Sequence, residues 1–338
     1  MEILIIGYSS IAKRKMIPAL LTLKNIKKIH LATHQRVFDN IIPMEMRGEV
    51  YNDYGEAISK CRVDLVYVSL PNSMHVEWIR RSLDKNLHVI VDKPAVIELT
   101  DAEEIAMYAR RKKRCLAEAN VWMYHPLMVS LKKMIDEEND PPLSIIAIFT
   151  SPPLELSNFR YDSKLGGGII LDRASYAASC GRIFYHKKPV EIISKVNKNG
   201  IDTSLGLMMA YNHDSVFQAF FSLEAEYKNS ISVIGRSYYY EAERIFTPPS
   251  DIELVINAKR SNKSEQIITE KGDSFALFVQ DVIRSIETNS LNLLFYLYRL
   301  HHDFVNNLLL HKGYASWQLP AKDPYQRTGH KDAQVICI

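Results

Sequence analysis

Lys93, Asp172 and Tyr176 are the residues of this chain whose types and spacing best suit proton transfer. Lys93 follows the apolar run His88–Val91 in the stretch Val91-Asp92-Lys93-Pro94-Ala95. A lysine at the carboxyl end of a parallel strand stands where ligands bind in open α/β sheets. The proline after it favours extended backbone and stiffens the turn. Its ammonium can hold a substrate hydroxyl or carbonyl, although an ordinary loop lysine has the same spacing. Asp172 and Tyr176 lie four residues apart in GGGIILDRASY, on one face of a helix. A tyrosine with an ordinary pKa of ~10 becomes a better acid beside an ammonium. Lys93 and Tyr176 would then form a proton relay of the kind a reductase uses. A helix start with a packed tyrosine and a capping aspartate fits the same residues.

A second group could hold a phosphate. The run Ile3–Ile6 meets Gly7, then Tyr8, Ser9, Ser10, Ile11 and Ala12. A pyrophosphate turn needs a tight bend and a helix N-terminus aimed at the anion. Gly7 supplies the bend, Ser9 stands for the glycine of close approach with a hydroxyl able to donate, and Ala12 replaces the third glycine. A plain strand–turn–helix reads the same way. The second strand ends in Ala32-Thr33-His34-Gln35-Arg36, without the carboxylate that selects NAD through its ribose. Thr33, His34 and Arg36 suit a 2′-phosphate, so NADP is expected as cofactor, with NAD possible. A strand placed one or two residues differently would weaken that inference.

Other chemistries find little support. The histidines form no ligand motif such as H-E-x-x-H, so no metal is expected, and Asp92, Asp162 and Asp172 define no hydrolase pair. The four cysteines have no C-x-x-C spacing, which suits reduced thiols and a cytoplasmic location. A net charge of +3 gives no case for a nucleic-acid partner, and Arg110–Arg114 reads as a solvated helix end. No signal peptide or membrane span is expected. The 290–311 stretch is interrupted by Arg299, His301, His302 and Asp303 and reads as a core-packed helix.

The elements that must position these residues follow from periodicity. Over the first 120 residues strands and helices alternate: strand Ile3–Ile6, helix Ala12–Lys24, strand Lys28–Thr33, helix Glu56–Lys60, strand Leu65–Leu70, helix His75–Asn86 and strand His88–Val91. Thr100 with Glu103 reads as a capping box of the next helix. The pattern predicts a doubly wound parallel sheet. Beyond about residue 123, longer consecutive strands (144–150, 190–198, 206–211, 215–223, 230–235, 252–257) predict an α+β domain with an open-faced, predominantly antiparallel sheet. A helix over Ile169–Phe184 and sheet placement of Tyr238-Tyr239-Tyr240 complete the reading. The boundary is expected between 122 and 123.

Taken together, GYSSIAKRKMIPAL, SLPNSMH, VDKPA, EANVWMYHP, NFRYDSKLGGGIILDRASY and IFTPP resemble the glucose–fructose oxidoreductase / inositol dehydrogenase (Gfo/Idh/MocA) superfamily. They are similar to its branch of NDP-sugar 3-ketoreductases and dihydrodiol and xylose dehydrogenases. The resemblance implies a Rossmann domain over 1–122 and a substrate and dimerisation domain over 123–338. It implies catalytic roles for Lys93, Asp172 and Tyr176. It also implies cofactor contacts from Gly7, Ser9, Ser10, Ile11, Ala12, Leu70, Pro71, Asn72, His75, Lys93 and Arg160, with Asn158-Phe159-Arg160 closing over the nicotinamide side. The activity it implies is NAD(P)-dependent hydride exchange with a sugar carbonyl or hydroxyl, in the first place reduction of a nucleotide-linked ketosugar. Oxidation of a free sugar, polyol or dihydrodiol, or a catalytically altered cofactor-binding protein, are the alternatives. A homo-oligomer through the C-terminal sheet is expected. Two positions depart from the family pattern: Arg173 replaces a small residue, and Met123 stands where an arginine is usual.

Overall fold

The computed structural model describes residues 1–35, 41–211, 214–261, 263–289 and 315–318. Arg36 and the helix expected over 290–311 lie outside the described residues.

The chain begins with β1 (Glu2–Ile6), a π-helical turn (Ala12–Met16) and α1 (Ile17–Leu21). Then come β2 (Lys28–Ala32), β3 (Arg47–Tyr51), α2 (Tyr54–Lys60), β4 (Leu65–Val68), α3 (His75–Asp84), β5 (His88–Val91), α4 (Leu99–Lys112) and β6 (Leu116–Glu118). The six strands form one parallel sheet in the order β3-β2-β1-β4-β5-β6. Ile3–Ile6, Leu65–Val68 and Val89–Val91 are fully buried, as expected of strands covered by helices on both faces. The order reverses between β1 and β4, so the carboxyl ends of these neighbours form the topological switch point. Gly7, Ser69 and Asp92 follow β1, β4 and β5 directly.

The rest of the chain supplies α5 (Pro126–Asp136), β7 (Ser144–Thr150), α6 (Ile169–Tyr185), β8 (Glu191–Asn199), β9 (Ile201–Tyr211), β10 (Ser215–Ser222), β11 (Lys228–Ile234), β12 (Tyr238–Glu243), β13 (Leu254–Arg260), β14 (Lys263–Thr269), α7 (Ser274–Glu287) and β15 (Ala315–Gln318). Nine strands pair in the order β14-β13-β12-β11-β7-β10-β9-β8-β15, antiparallel except for β7 with β10. One face is apolar and buried, with Leu205, Leu207, Met209, Phe217, Phe221, Ile231, Val233, Tyr240 and Ile256. Tyr238 and Tyr240 point to that face and Tyr239 to the other. The opposite face carries Ile193, Met208 and Ile146 along one cross-strand row, with Phe220 nearby, all at least partly exposed. Among the described residues no helix is long and apolar enough to cross a membrane.

Several expectations need correction. Among the described residues the chain forms two compact units in place of a single cut after residue 122: 1–121, 154–175 and 273–289 in one, 122–153, 176–272 and 315–318 in the other. The chain returns to the first unit because Leu154–Ser175 is bonded there, as shown below, and because α7 packs on α1. Thr100 caps nothing: α4 begins at Leu99 after Glu98, and no side chain caps it. The first helix ends at Leu21, three residues early, and starts with a π-turn. Strands β3 and β14 escaped the periodicity reading because most of their side chains are exposed. β6 escaped it because it spans only three residues.

Candidate active site

The phosphate-type turn sits at the switch point. Gly7 has φ +91°, a conformation that disfavours side chains, and a Cβ there would lie 2.2 Å from the Ser69 carbonyl oxygen. Helical backbone starts at Ser10. Ser9 caps it, its Oγ accepting the Ala12 N–H at 3.1 Å. The first amides of a helix lack partners within it and face outward as anion donors. Gly7 and these amides fit a pyrophosphate, with Ser10 and Ile11 exposed beside it.

The end of β2 fits an adenosine moiety. Thr33 is buried, and its Oγ1 accepts the Gln35 N–H at 3.1 Å, which turns the chain. His34 is exposed, with its ring 4.4 Å from Tyr54, which meets Trp78 edge-on at 5.2 Å. No carboxylate occurs in Thr33-His34-Gln35. Tyr54 escaped the sequence reading; its signal would have been an aromatic just inside a helix that follows β3.

The loops after β4 and β5 are tied together. His75 is fully buried, with Nδ1 2.9 Å from the Pro94 carbonyl and Nε2 2.8 Å from that of Leu70. Asn72 is also buried and donates from Nδ2 to the Gly166 carbonyl at 2.7 Å. Both side chains, expected to border the cofactor, are engaged with backbone carbonyls inside the protein. Leu70 and Pro71 are partly exposed. Gly166 has φ +77°, and a Cβ there would meet Asn72 Cβ at 2.8 Å. The glycines therefore bring backbone against another element.

Lys93 reaches the head of α6. Its Nζ donates to the Asp172 carboxylate at 3.0 Å and to the Asp172 carbonyl oxygen. Arg160 Nε lies 3.1 Å from the same carboxylate oxygen and Arg173 Nε 3.5 Å from the other. Burial alone would raise the Asp172 pKa, but the charges of Arg160, Lys93 and Arg173 override it and hold the group far below the carboxylate range. Asp172 is ionised here, and it holds the three protein cations. Asn158 Oδ1 accepts the Arg160 N–H at 3.1 Å, which shapes the loop carrying that arginine.

Beside Lys93 lies a feature the sequence reading missed. Asp92 accepts hydrogen bonds from Tyr67 Oη at 2.5 Å and Ser69 Oγ at 2.6 Å. Ser69 Oγ lies 2.6 Å from Ser9 Oγ. Burial raises the Asp92 pKa, opposed by those two bonds and by the charges of His75 and Lys93. The readable signal was a tyrosine and a serine closing an otherwise aliphatic strand, since buried hydroxyls need partners.

Tyr176 belongs to the other unit. It is buried, with its ring 4.7 Å from Phe246, 5.6 Å from Phe149 and 6.2 Å from Trp122. Met123 is buried in the same unit. The structure thus brings Lys93, Asp172, Arg160 and Arg173 together in the first unit and sets Tyr176 in an aromatic cluster of the second.

Residues 1–120 match the model of an oxidoreductase family with an NAD-binding Rossmann fold. That match agrees with the resemblance of the sequence motifs to the Gfo/Idh/MocA oxidoreductases. It is 26% identical over 287 residues to a dTDP-3,4-didehydro-2,6-dideoxy-α-D-glucose 3-reductase of Actinomadura kijaniata, covering 83% of this chain and 86% of that one. It is 24% identical to a D-xylose 1-dehydrogenase (NADP+) of Haloferax volcanii, covering 84% and 88%. A 3-ketoreductase from Actinomadura kijaniata, solved with NADP and TDP-benzene, superposes with a TM-score of 0.83 at 24% identity, over 90% of this chain and 96% of that one. This likeness shows a shared fold. Within the Gfo/Idh/MocA pattern Arg173, one of the two departures, pairs with the Asp172 carboxylate.

Proposed function

We propose that this oxidoreductase uses NADP(H) to reduce the keto group of a nucleotide-linked sugar. The observation that carries the reading is Lys93 at the carboxyl edge of the parallel sheet, held by an aspartate that stays ionised. The relatives that reduce dTDP-linked ketosugars support the substrate class. The absence of an acid in Thr33-His34-Gln35 supports NADP over NAD.

Gly7 and the amides at the helix start would hold the pyrophosphate, and His34 with Tyr54 would flank the adenosine. The nicotinamide supplies the hydride when bound. Lys93 would orient the substrate oxygen and stabilise charge developing on it. Asp172 fixes the Lys93 ammonium and balances Arg160, which would place the Asn158–Arg160 loop over the reacting carbon. The exposed row on the second sheet suits a homodimer contact, which light scattering of the purified protein would measure.

The deciding experiment offers NADPH with a panel of nucleotide-linked ketosugars, and NADP+ with free sugars, polyols and dihydrodiols, followed at the nicotinamide absorbance band. Turnover confined to nucleotide-linked ketosugars is expected. Turnover confined to free sugars or diols would replace the reading with the dehydrogenase activity of the Haloferax relative. No turnover with any substrate would favour a cofactor-binding protein altered at Arg173.

A further inference from the structure

Hydroxyl protons can be counted around Asp92. Each serine hydroxyl has one proton to give. Ser69 gives its proton to Asp92 Oδ2 at 2.6 Å. The proton in the 2.6 Å contact between the two serines therefore comes from Ser9. Ser9 in turn accepts the Ala12 N–H. The result is one directed chain: Ala12 N–H to Ser9, Ser9 to Ser69, Ser69 to Asp92. Tyr67 satisfies the other carboxylate oxygen.

Two consequences follow. Ser9 has no proton left for a phosphate in this chain of bonds. The chain also joins the phosphate turn to the loop that presents Lys93. That loop has other anchors, since Pro94 O meets His75 and Ala95 N donates to Glu118 Oε2 at 3.0 Å. Those anchors lead to the β4 loop and to β6. The Asp92 carboxylate leads instead through Ser69 to the turn after β1.

We propose that Asp92 is a positioning residue, and that Ser9, Ser69 and Asp92 act as one unit which sets the phosphate turn and Lys93 together. The inference rests on the reading that the first unit holds a nicotinamide dinucleotide.

The test is a double-mutant cycle in the full chain with Ser9→Ala and Ser69→Ala, changes that keep the Tyr67 donor on Asp92. NADPH dissociation constants come from nicotinamide fluorescence, kcat at saturating NADPH from the absorbance assay, and melting midpoints from the protein without cofactor. Each single change should weaken NADPH binding about fivefold, roughly one hydrogen bond, and the double change no more than the weaker single one. Ser69→Ala should also lower kcat about fivefold at saturating NADPH, because Lys93 loses its reference. Tyr67→Phe, which leaves the Ser9 branch intact, should change NADPH affinity less than twofold. Multiplying affinity losses, or an unchanged kcat in Ser69→Ala, would overturn the proposal. If the unaltered protein binds no NADPH, the cofactor reading fails instead, and the melting midpoints decide the relay: additive losses would reject it and non-additive losses would uphold it.

Discussion

Two aspartates flank Lys93, and the first unit treats them in opposite ways. Asp172, at the head of α6, faces three cations and is held far below its ordinary pKa. Asp92, at the end of β5, faces two neutral hydroxyls, and its pKa is raised. Burial pushes both upward, so the difference lies in the donors. Cations make a carboxylate a permanent charge, whereas hydroxyls give directed bonds and little compensating charge. The first arrangement suits holding an ammonium; the second suits fixing a backbone.

Breaking the shared neighbour should have the largest effect. Lys93→Ala is expected to lower kcat by about 10³-fold, within the range of a lost acid–base group, while NADPH affinity measured by fluorescence changes little. Retained turnover would remove Lys93 from the chemistry. Asp172→Asn comes next, because it keeps the shape and deletes the charge that Lys93, Arg160 and Arg173 share. Removing one partner from a buried ionic cluster costs about 3 kcal/mol, measurable by urea unfolding at pH 7. The pH dependence has a definite sign. A carboxylate depressed in the folded state stabilises above its unfolded pKa of ~3.9, and that stability is lost as pH falls below about 5. The Asn variant should lose this acid sensitivity.

Asp92→Asn should behave differently, and the contrast sharpens the comparison. A carboxyl raised in the folded state opposes folding when ionised, and the penalty disappears as pH falls through the raised value. Removing the charge should therefore alter stability at pH 7 by less than about 1 kcal/mol. Turnover should still fall about tenfold, because Asn cannot accept from both hydroxyls as the carboxylate does. A large stability loss would mean that Asp92 only supports the fold.

These two carboxylates also show what the sequence makes legible. Alternating apolar strands and helices up to residue 120 are enough to predict a doubly wound sheet, because burial on both faces leaves unbroken aliphatic runs such as Ile3–Ile6. The lysine and the aspartate of the site are visible through their motifs. Their contact is not, since it depends on Leu154–Ser175 returning to the first unit through Asn72 with Gly166. The partners of Ser9, Asn72 and His75 are not legible either: a polar residue near a ligand turn invites a ligand role, and only the fold shows that each bonds to protein atoms. Strands β3 and β14 carry too little buried surface to leave a pattern.

The amino end of β5 supplies the smallest effect and a control for both aspartates. His88 Nδ1 accepts the Cys115 N–H at 3.0 Å, joining β5 to β6. Burial, with a smaller contribution from the Arg114 charge, lowers its pKa to about 4. The ring is neutral in the folded protein while the unfolded chain takes up a proton near pH 6.5. The unfolded state thus binds more protons between about 6.5 and 4, so stability falls as pH falls across that window. His88 is partly exposed, and solvent screening reduces the full shift to about 1–2 kcal/mol. His88→Gln should flatten the stability profile between pH 6.5 and 4 while leaving the steeper loss from Asp172 below it. If the slope above pH 5 survives in His88→Gln but vanishes in Asp172→Asn, the two aspartates titrate together, and the contrast between neutral and cationic donors fails.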